Sequence, residues 1–260
     1  MAEMTTPHLP GKFVWFEHVS SDVTKARAFY EPLFGWHVER MPLGDQSYDM
    51  LMHDSSGGIG GLTTAQAGER THWASYLSVP NVDDRFAAAT KAGAKPLLPP
   101  SDFGPVGRGA AVLDPTGAAV CLWKSARGDR PDLDNDTPNG DWCWNELWTP
   151  DAKTALAFYE KVFGYTHDNM DMGPQGTYYI LKAGDKPRAG LFQAPDSKTP
   201  PMWLPYVKVG DCDASSAKAA QLGAQVVMPP TDIPSVGRFS VFIDPQGAAL
   251  AVIKLVAPQA

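Results

Sequence analysis

The sequence predicts an α+β protein made of two consecutive copies of one domain, each built from two strand–helix–three-strand (βαβββ) units. Two observations predict this fold class. A set of short segments recurs in the same order, so that Trp15 returns as Trp144 and Pro99 returns as Pro229. Within each copy, strand-like and helix-like patterns follow one another in the order βαβββ, twice over.

The recurring segments span almost the whole of each copy. They are WFEHVSSDVTKARAFY at 15–30 and WNELWTPDAKTALAFY at 144–159, GGL at 60–62 and AGL at 189–191, PPSDFGPVGR at 99–108 and PPTDIPSVGR at 229–238, and DPTGA at 114–118 and DPQGA at 244–248. So many matches in one order indicate duplication of a complete unit. We predict one domain at 1–126, a second at 141–260, and between them a charged linker at 127–140, rich in Pro, Asn and Asp.

The first βαβββ unit of the first copy begins with a strand at 13–19, which is rich in aromatic and β-branched residues. Asp22 is placed to cap a helix. Pro32 and Gly35 are predicted to end that helix. Three further strands are predicted at 36–40, 46–53 and 58–64. The glycine run at 57–61 opens no helix, so it indicates a tight hairpin or bulge and not a phosphate loop.

The second unit repeats the pattern with almost no shared sequence. A strand is predicted at 73–79, and a helix at 82–92 that Gly93 stops. Further strands follow, and the last of them, at 118–124, comes after the DPTG turn. The second copy is expected to follow the same order.

Composition and charge exclude several classes of protein. The chain of 260 residues is 43% hydrophobic and 20% charged, with a net charge of −7, and its pI is near 5.3. These values argue against nucleic acid and against an anionic membrane surface as partners. No apolar run resembles a signal peptide or a membrane span, and the three cysteines lack paired metal spacing. We therefore expect a cytoplasmic protein, while secretion without a signal peptide stays open.

The motif D-x-x-x-A-x-x-FY, the FG that follows it and the closing DP-x-G strand together resemble the vicinal oxygen chelate superfamily. That group includes glyoxalase I, extradiol dioxygenases and bleomycin-resistance proteins. The FVWFEH start and the VGR segment look most like a two-domain subgroup named after a mycobacterial 27–30 kDa secreted antigen. The resemblance implies tandem glyoxalase-like domains. In each, two βαβββ units form a cup-shaped mixed sheet that holds a ligand and usually a divalent metal.

The resemblance also implies where metal ligands would stand, and this sequence departs from the family there. The implied positions are occupied by Trp15, Ala74 and Cys121 in the first copy, and by Trp144, Leu204 and Ala251 in the second. An indole has no lone pair for a metal, and hard cations need several oxygen or imidazole ligands. We expect no metal cofactor at these positions. A divalent metal held by residues outside the family register, among them Glu17, His18, His53 and His72, stays open.

Strand alternation places Glu17 on the same face as Trp15, and Glu146 on the same face as Trp144 and Trp148. A carboxylate among indoles in an apolar site is expected to have a raised pKa, which suits a general base. Glu17 and Glu146 are therefore candidate catalytic residues. The alternative is that each carboxylate pairs with an arginine or lies on a solvated rim.

Several further residues are candidates for ligand binding. Arg108 and Arg238 recur before equivalent strands, and each is placed to pair with a glutamate, to clamp an anionic ligand or to anchor a loop. Cys121 is a small residue that leaves room for a ligand, and it fits a core position better than a nucleophile. The aromatic residues that recur fit either a stacking pocket or the core; they are Trp15 and Trp144, Tyr48 and Tyr178, Trp73 and Trp203, and Tyr76 and Tyr206.

Three functions stay open at this level. The first is metal-independent binding of a small organic molecule in aromatic-lined cups. The second is a glyoxalase-like lyase or isomerase, or a dioxygenase-related activity, with Glu17 or Glu146 as general base. The third is a signalling or host-interaction protein that acts through its surface. The expected assembly is a monomer whose two copies imitate a dimer, or a homodimer.

Overall fold

The computed structural model describes residues 6–43, 46–133, 136–194, 196 and 198–256. The first five residues of the polar N-terminus lie outside the described residues, as do residues 134–135 of the predicted linker and the last four residues.

Within the described ranges, the first copy contains eight strands and two α-helices in the predicted order. They are β1 (Phe13–Ser20), α1 (Val23–Phe34), β2 (His37–Leu43), β3 (Gln46–His53), β4 (Gly57–Thr64), β5 (His72–Ser78), α2 (Val82–Lys91), β6 (Lys95–Asp102), β7 (Gly107–Leu113) and β8 (Ala119–Ser125). The strand at 46–53 is placed as predicted. The predicted strand at 36–40 overlaps β2, which begins at His37 and continues to Leu43.

The second copy repeats this order. Its elements are β9 (Trp142–Thr149), α3 (Ala152–Phe163), β10 (Thr166–Asp171), β11 (Thr177–Ala183), β12 (Lys186–Gln193), β13 (Met202–Lys208), α4 (Cys212–Gln221), β14 (Gln225–Ile233), β15 (Gly237–Ile243) and β16 (Ala249–Leu255). None of the helices within the described ranges is both long enough and apolar enough to cross a membrane.

The strands form two mixed eight-stranded sheets, one from each copy. Their orders are β2-β3-β4-β1-β5-β8-β7-β6 and β10-β11-β12-β9-β13-β16-β15-β14. In each βαβββ unit, the first strand pairs in parallel with the fourth, as β1 does with β4 and β5 with β8, while successive later strands pair antiparallel. The predicted α+β class, with two βαβββ units in each copy, is confirmed.

The first helix of each copy starts and ends through local chemistry. The Asp22 side chain accepts a hydrogen bond from the Lys25 amide at the start of α1, and Gly35 ends the helix at φ 74°. Asp151 and Gly164 do the same for α3. Pro32, predicted to help end the first helix, lies inside it, and that prediction was wrong. A proline costs the helix one amide hydrogen bond, and the glycine that follows sets the end.

The described residues pack into two compact units, called unit 1 and unit 2, which are different from the βαβββ units of the sequence. Each of them takes segments from both copies. Unit 1 consists of Met1–Trp15, Ala74–Asp132 and Trp144–Trp203, and unit 2 consists of Phe16–Trp73, Leu133–Cys143 and Leu204–Ala260. The copies defined by the sequence repeat are therefore different from the units defined by packing.

The aspartate of each DP-x-G turn connects the two copies inside one unit. In unit 1, Tyr159 on α3 donates to Asp114 Oδ2 at 3.0 Å, and Trp203 Nε1 donates to the Tyr159 hydroxyl at 2.9 Å. The other carboxylate oxygen of Asp114 accepts two backbone amides of its own turn. Asp114 and Tyr159 are both buried, so this turn is part of the core.

Unit 2 has the equivalent network with one addition. Tyr30 on α1 donates to Asp244 Oδ2 at 2.9 Å, and Trp73 Nε1 donates to the Tyr30 hydroxyl at 2.9 Å. His18 Nε2 also lies 2.8 Å from Asp244 Oδ2, whereas unit 1 has the apolar Leu147 at the corresponding position. His18 is fully buried, so unit 2 contains a buried His–Asp pair.

Candidate functional site

The candidate site residues lie on the first strand of each copy, where side chains alternate between the two faces. In unit 2, the ring of His18 contacts Tyr30 on helix α1, with ring centroids 5.2 Å apart. The neighbouring Glu17 therefore belongs to the opposite face of β1. In unit 1, Trp144, Glu146 and Trp148 share one face of β9 by the same alternation.

In unit 1, Glu146 is the acceptor of a hydrogen-bonded aromatic cluster. Trp144 Nε1 donates to the Tyr178 hydroxyl at 2.9 Å, and that hydroxyl hydrogen-bonds the Glu146 carboxylate. Trp148 Nε1 donates to Glu146 Oε1. Glu146 is only 8% exposed. Its buried carboxylate accepts hydrogen bonds from two different aromatic side chains, as a buried polar group requires.

Tyr178 acts as a neutral donor in this cluster. Burial of the phenol and the negative charge of Glu146 raise the pKa of Tyr178 well above its ordinary value. Near neutral pH the Tyr178 hydroxyl keeps its proton. It donates a hydrogen bond to the Glu146 carboxylate and accepts one from Trp144 Nε1.

Two glycines that recur in the sequence make room for the tyrosine hydroxyls. A Cβ atom at Gly190 would lie 1.9 Å from the Tyr178 hydroxyl oxygen, and one at Gly61 would lie 1.7 Å from the Tyr48 hydroxyl oxygen. Gly190 pairs with Glu146 in the β12–β9 register. The absence of a side chain therefore lets the phenol approach the strand that carries the glutamate.

In unit 2, the first copy presents the corresponding residues. Glu17 is 9% exposed, and it pairs with Gly61 in the β4–β1 register. Because paired strand residues share a face, the Tyr48 hydroxyl that lies against Gly61 belongs to the face of Glu17. Val19 is half-buried at the position where the second copy has the buried Trp148. Trp15, two residues before Glu17, is also half-buried.

The copy-1 site consists of Glu17, Val19, Tyr48 and Gly61. Trp144, Glu146, Trp148, Tyr178 and Gly190 are called the copy-2 site.

The predicted small residue Cys121 lies beside an aromatic side chain. Cys121 pairs with Tyr76 in the β5–β8 register of unit 1 and is half-buried. In unit 2, Ala251 pairs with Tyr206 in the same way. Both recurring tyrosines therefore adjoin the position at which the family resemblance implies a metal-binding glutamate.

Trp73 and Trp203 lie on the helix-covered side and belong to the core networks described above. Trp73 is 5% exposed and Trp203 is 4% exposed. The Trp73 ring packs 4.9 Å from His18, on the face of β1 opposite to Glu17. The structure therefore does not bring Trp73 together with the copy-1 site, and Trp203 packs against Tyr159 on helix α3.

Arg108 and Arg238 each bind two aspartates. The Arg108 guanidinium makes two hydrogen bonds to Asp83, at 2.7 and 2.8 Å, and one to Asp102. Arg238 does the same with Asp213 and Asp232. The guanidinium groups lower the pKa of Asp83 and of Asp213. These ion pairs join the first turn of α2 to β6 and β7, and that of α4 to β14 and β15, which fits the loop-anchoring alternative.

The residues at the implied metal positions do not fit a divalent ion. In the first copy these are an indole, a methyl group and one thiol, and in the second copy they are an indole and two aliphatic side chains. Only the Cys121 thiol could act as a ligand, and one ligand does not hold a hard cation. Among the described residues, no three His, Cys, Asp or Glu side chains are grouped to hold a metal.

The sequence did not indicate the hydrogen bonds between copies, from Tyr30 to Asp244 and from Tyr159 to Asp114. Nor did it indicate that Gly61 and Gly190 make room for tyrosine hydroxyls. The available signal was recurrence, because the FY and DP-x-G motifs and the glycine before Leu62 and Leu191 all return in both copies. Trp148 was placed on the correct face but was not singled out as a partner of Glu146.

Comparison with known proteins agrees with this architecture. The sequence matches the Glyoxalase/Bleomycin resistance protein/Dioxygenase superfamily twice, at residues 12–122 and 144–252. The chain belongs to this superfamily.

Among its relatives is a mycobacterial protein. The chain is 40% identical to "Putative glyoxylase CFP32" of Mycobacterium tuberculosis, over 92% of this chain and 93% of that protein. It is 30% identical to "Anthracycline biosynthesis protein DauV" of a Streptomyces species, over 96% and 95% of the two chains. The predicted family and subgroup are confirmed.

Solved structures show the same fold at low identity. The Mn(II)-bound glyoxalase from Novosphingobium aromaticivorans aligns with a TM-score of 0.66 at 17% identity, covering 94% of this chain and 82% of that chain. The 2,3-dioxygenase LapB from Pseudomonas sp. KL28 aligns with a TM-score of 0.62 at 12% identity, covering 98% and 96%.

Proposed function

We propose that this protein binds a flat, largely apolar organic molecule that carries a hydrogen-bond donor, without a metal at the family's positions. The observation that carries this proposal is the copy-2 site, where Trp144 replaces an implied metal ligand and its indole N–H is directed to Tyr178 and, through it, to Glu146. The polar groups there form a donor–acceptor chain between aromatic rings and not a set of metal ligands.

The chemistry of these residues suits such a ligand. Half-buried aromatic rings provide surfaces for stacking, and Trp144 and Tyr178 are both half-buried. A carboxylate has about four acceptor positions, so it can accept a ligand donor beside an indole and a phenol. The copy-1 site supplies the same combination through Glu17 and Tyr48.

The names of the relatives support the same ligand class. Two similar proteins, DauV and DnrV of Streptomyces, are named for anthracycline biosynthesis. Anthracyclines are polycyclic aromatic molecules with several hydroxyl groups, which matches a stacking surface next to a carboxylate acceptor. The superfamily name also includes bleomycin resistance, which is consistent with the binding of large organic molecules.

A titration with a fluorescent anthracycline tests the proposal, supported by elemental analysis and native mass spectrometry of the purified protein. We expect saturable quenching that a chelator such as EDTA leaves unchanged, and no stoichiometric transition metal in the protein. The double variant Glu17→Gln, Glu146→Gln should weaken binding at least tenfold. Lys25→Ala, which alters a lysine whose side chain is 73% exposed, is the matched control. The absence of saturable binding, or its loss with EDTA, would contradict the proposal.

Proton transfer is a second candidate function, and the contact between Glu146 and Tyr178 favours it. A buried carboxylate held beside a neutral phenol can take a proton from a carbon next to a carbonyl group and return it to the adjacent carbon. An α-oxoaldehyde–thiol adduct is the substrate class to assay. Replacing both glutamates by glutamine should abolish turnover, and unchanged turnover in that double variant would exclude this candidate.

A further inference from the structure

We infer that unit 1 contains a further binding surface, centred on Trp123, for a planar aromatic molecule that carries a carbonyl group. This surface, called the Trp123 surface, consists of Trp123 on β8, Phe103 after the end of β6, and Tyr76 on β5. All three residues lie in the segment Ala74–Asp132 of unit 1. The Trp123 surface shares no residue with the copy-2 site, so it does not depend on the proposed function.

The indole N–H of Trp123 is a hydrogen-bond donor that the protein does not use. Most tryptophans donate this N–H to an acceptor in the protein; they are Trp36, Trp73, Trp142, Trp144, Trp148 and Trp203. The described part of the chain supplies no acceptor for Trp123, and its Nε1 is not one of the buried atoms that lack a partner. An indole N–H donates and cannot accept, so this solvent-facing donor can meet a carbonyl oxygen of a ligand.

Two glycines on β7 allow the Trp123 ring to lie against that strand. Gly109 pairs with Trp123 in the β7–β8 register. A Cβ atom at Gly109 would lie 3.1 Å from Trp123 Cε3, and one at Gly107 would lie 2.8 Å from Trp123 Cζ2. The indole therefore rests on the backbone where side chains are missing. Because it is half-buried and supported in this way, the ring offers a rigid surface for stacking.

Tyr76 and Phe103 lie beside the Trp123 ring and are not parallel to it. The Tyr76 ring centroid is 6.0 Å from that of Trp123, at an angle of 87° between the planes. The Phe103 centroid is 5.8 Å away at 63°. Phe103 is 38% exposed and Tyr76 is half-buried. Neither ring takes the parallel position that a planar ligand needs for stacking, and both add aromatic surface around it.

The second copy differs at the equivalent positions. Phe239 stands where the first copy has Gly109, and Ile253 stands where it has Trp123. The Phe239 ring stacks with Tyr206, with centroids 6.4 Å apart and 26° between the planes, and Tyr206 is only 3% exposed. In the second copy a side chain of the protein therefore provides the stacked ring, and the indole donor is missing. We expect one Trp123 surface per chain.

A titration with anthraquinone-2-sulfonate tests the inference. This probe has planar rings and carbonyl acceptors, but no hydroxyl or amino donor for a carboxylate. Anthracene-2-sulfonate, which has the same rings without the carbonyl groups, is the matched control compound. Both are titrated into the intact chain and followed by heteronuclear NMR of the indole N–H groups. Trp123→Ile, which copies Ile253 of the second copy, identifies the Trp123 signal by its loss.

The anthraquinone should shift the Trp123 signal downfield and saturably. It should bind about fivefold more tightly than the anthracene, the factor that one neutral hydrogen bond contributes. Trp123→Ile should weaken anthraquinone binding at least tenfold. Trp123→Phe, which keeps a ring but removes the N–H, should bind both compounds equally, and Lys25→Ala should bind like the wild type.

Two results would overturn the inference: no saturable binding of the anthraquinone, or binding that Trp123→Ile leaves unchanged. Either would leave the proposed function standing, because the probe offers no donor to Glu146. A failed anthracycline titration beside intact anthraquinone binding would contradict only the proposed function. If Trp123→Ile does not fold, Trp123→Phe decides, and a preference for the anthraquinone that persists in this variant would overturn the inference.

Discussion

The buried His18–Asp244 pair gives the sharpest stability prediction, because unit 1 contains a natural control for it. Asp244→Ala removes the partner of two buried groups, His18 Nε2 and the Tyr30 hydroxyl. Asp114→Ala removes the partner of one buried group, the Tyr159 hydroxyl. Each aspartate also accepts hydrogen bonds within its own turn through Oδ1, so that loss is shared by both variants.

The magnitude follows from the number of orphaned groups. A buried polar group left without a partner costs roughly 1–3 kcal/mol. Asp244→Ala leaves two groups without a partner, so the free energy of unfolding should fall by about 2–6 kcal/mol. Asp114→Ala leaves one such group, so the fall should be about 1–3 kcal/mol. The difference of about 2 kcal/mol corresponds to a melting temperature about 6 °C lower for the Asp244 variant, at roughly 2–4 °C per kcal/mol in a chain of this size.

Differential scanning calorimetry of both variants measures this difference. Adding His18→Leu to Asp244→Ala, which copies Leu147 of the second copy, should recover most of it, because the orphaned imidazole is replaced by an apolar group. Equal melting temperatures for Asp244→Ala and Asp114→Ala, or no recovery in the double variant, would refute the assignment of the extra stability to the His–Asp pair.

Four further predictions concern Asp244, Gly190, Arg238 and Cys143. Burial tends to raise the pKa of Asp244, but hydrogen bonds and charge from His18 lower it overall. The stability that the Asp244 carboxylate contributes should therefore be present above about pH 4 and lost as pH falls through its folded-state pKa. Urea denaturation of the wild type at several pH values, compared with Asp244→Asn, measures this loss. Gly190→Ala should displace the Tyr178 hydroxyl and cost about 1–3 kcal/mol, measured by urea denaturation with tryptophan emission. Arg238→Ala should cost no more than about 1 kcal/mol, because its side chain is 35% exposed; a larger loss in thermal unfolding would contradict this. Burial raises the pKa of Cys143 to about 12, so its thiol should not react with iodoacetamide at pH 8, as peptide mass spectrometry would show.

Much of the fold could be predicted because it depends on local chemistry. The βαβββ order follows from alternating patterns, and the first helix of each copy is bounded by an aspartate cap and a left-handed glycine. The departure from the family's metal positions is also a matter of residue identity at Trp15 and Trp144. Alternation further placed Glu146 and Trp148 on one strand face, where the structure shows them hydrogen-bonded.

Tertiary structure decided what depends on distant partners. Tyr30 and Asp244 are separated by 214 residues, and neither periodicity nor motif spacing indicates that a helix of one copy bonds a turn of the other. Trp73 recurs like the residues of the candidate sites, yet its indole is directed to Tyr30 in the core. A sequence pattern specifies which way a side chain points from its own strand, but the partner on that side is set only when the chain packs.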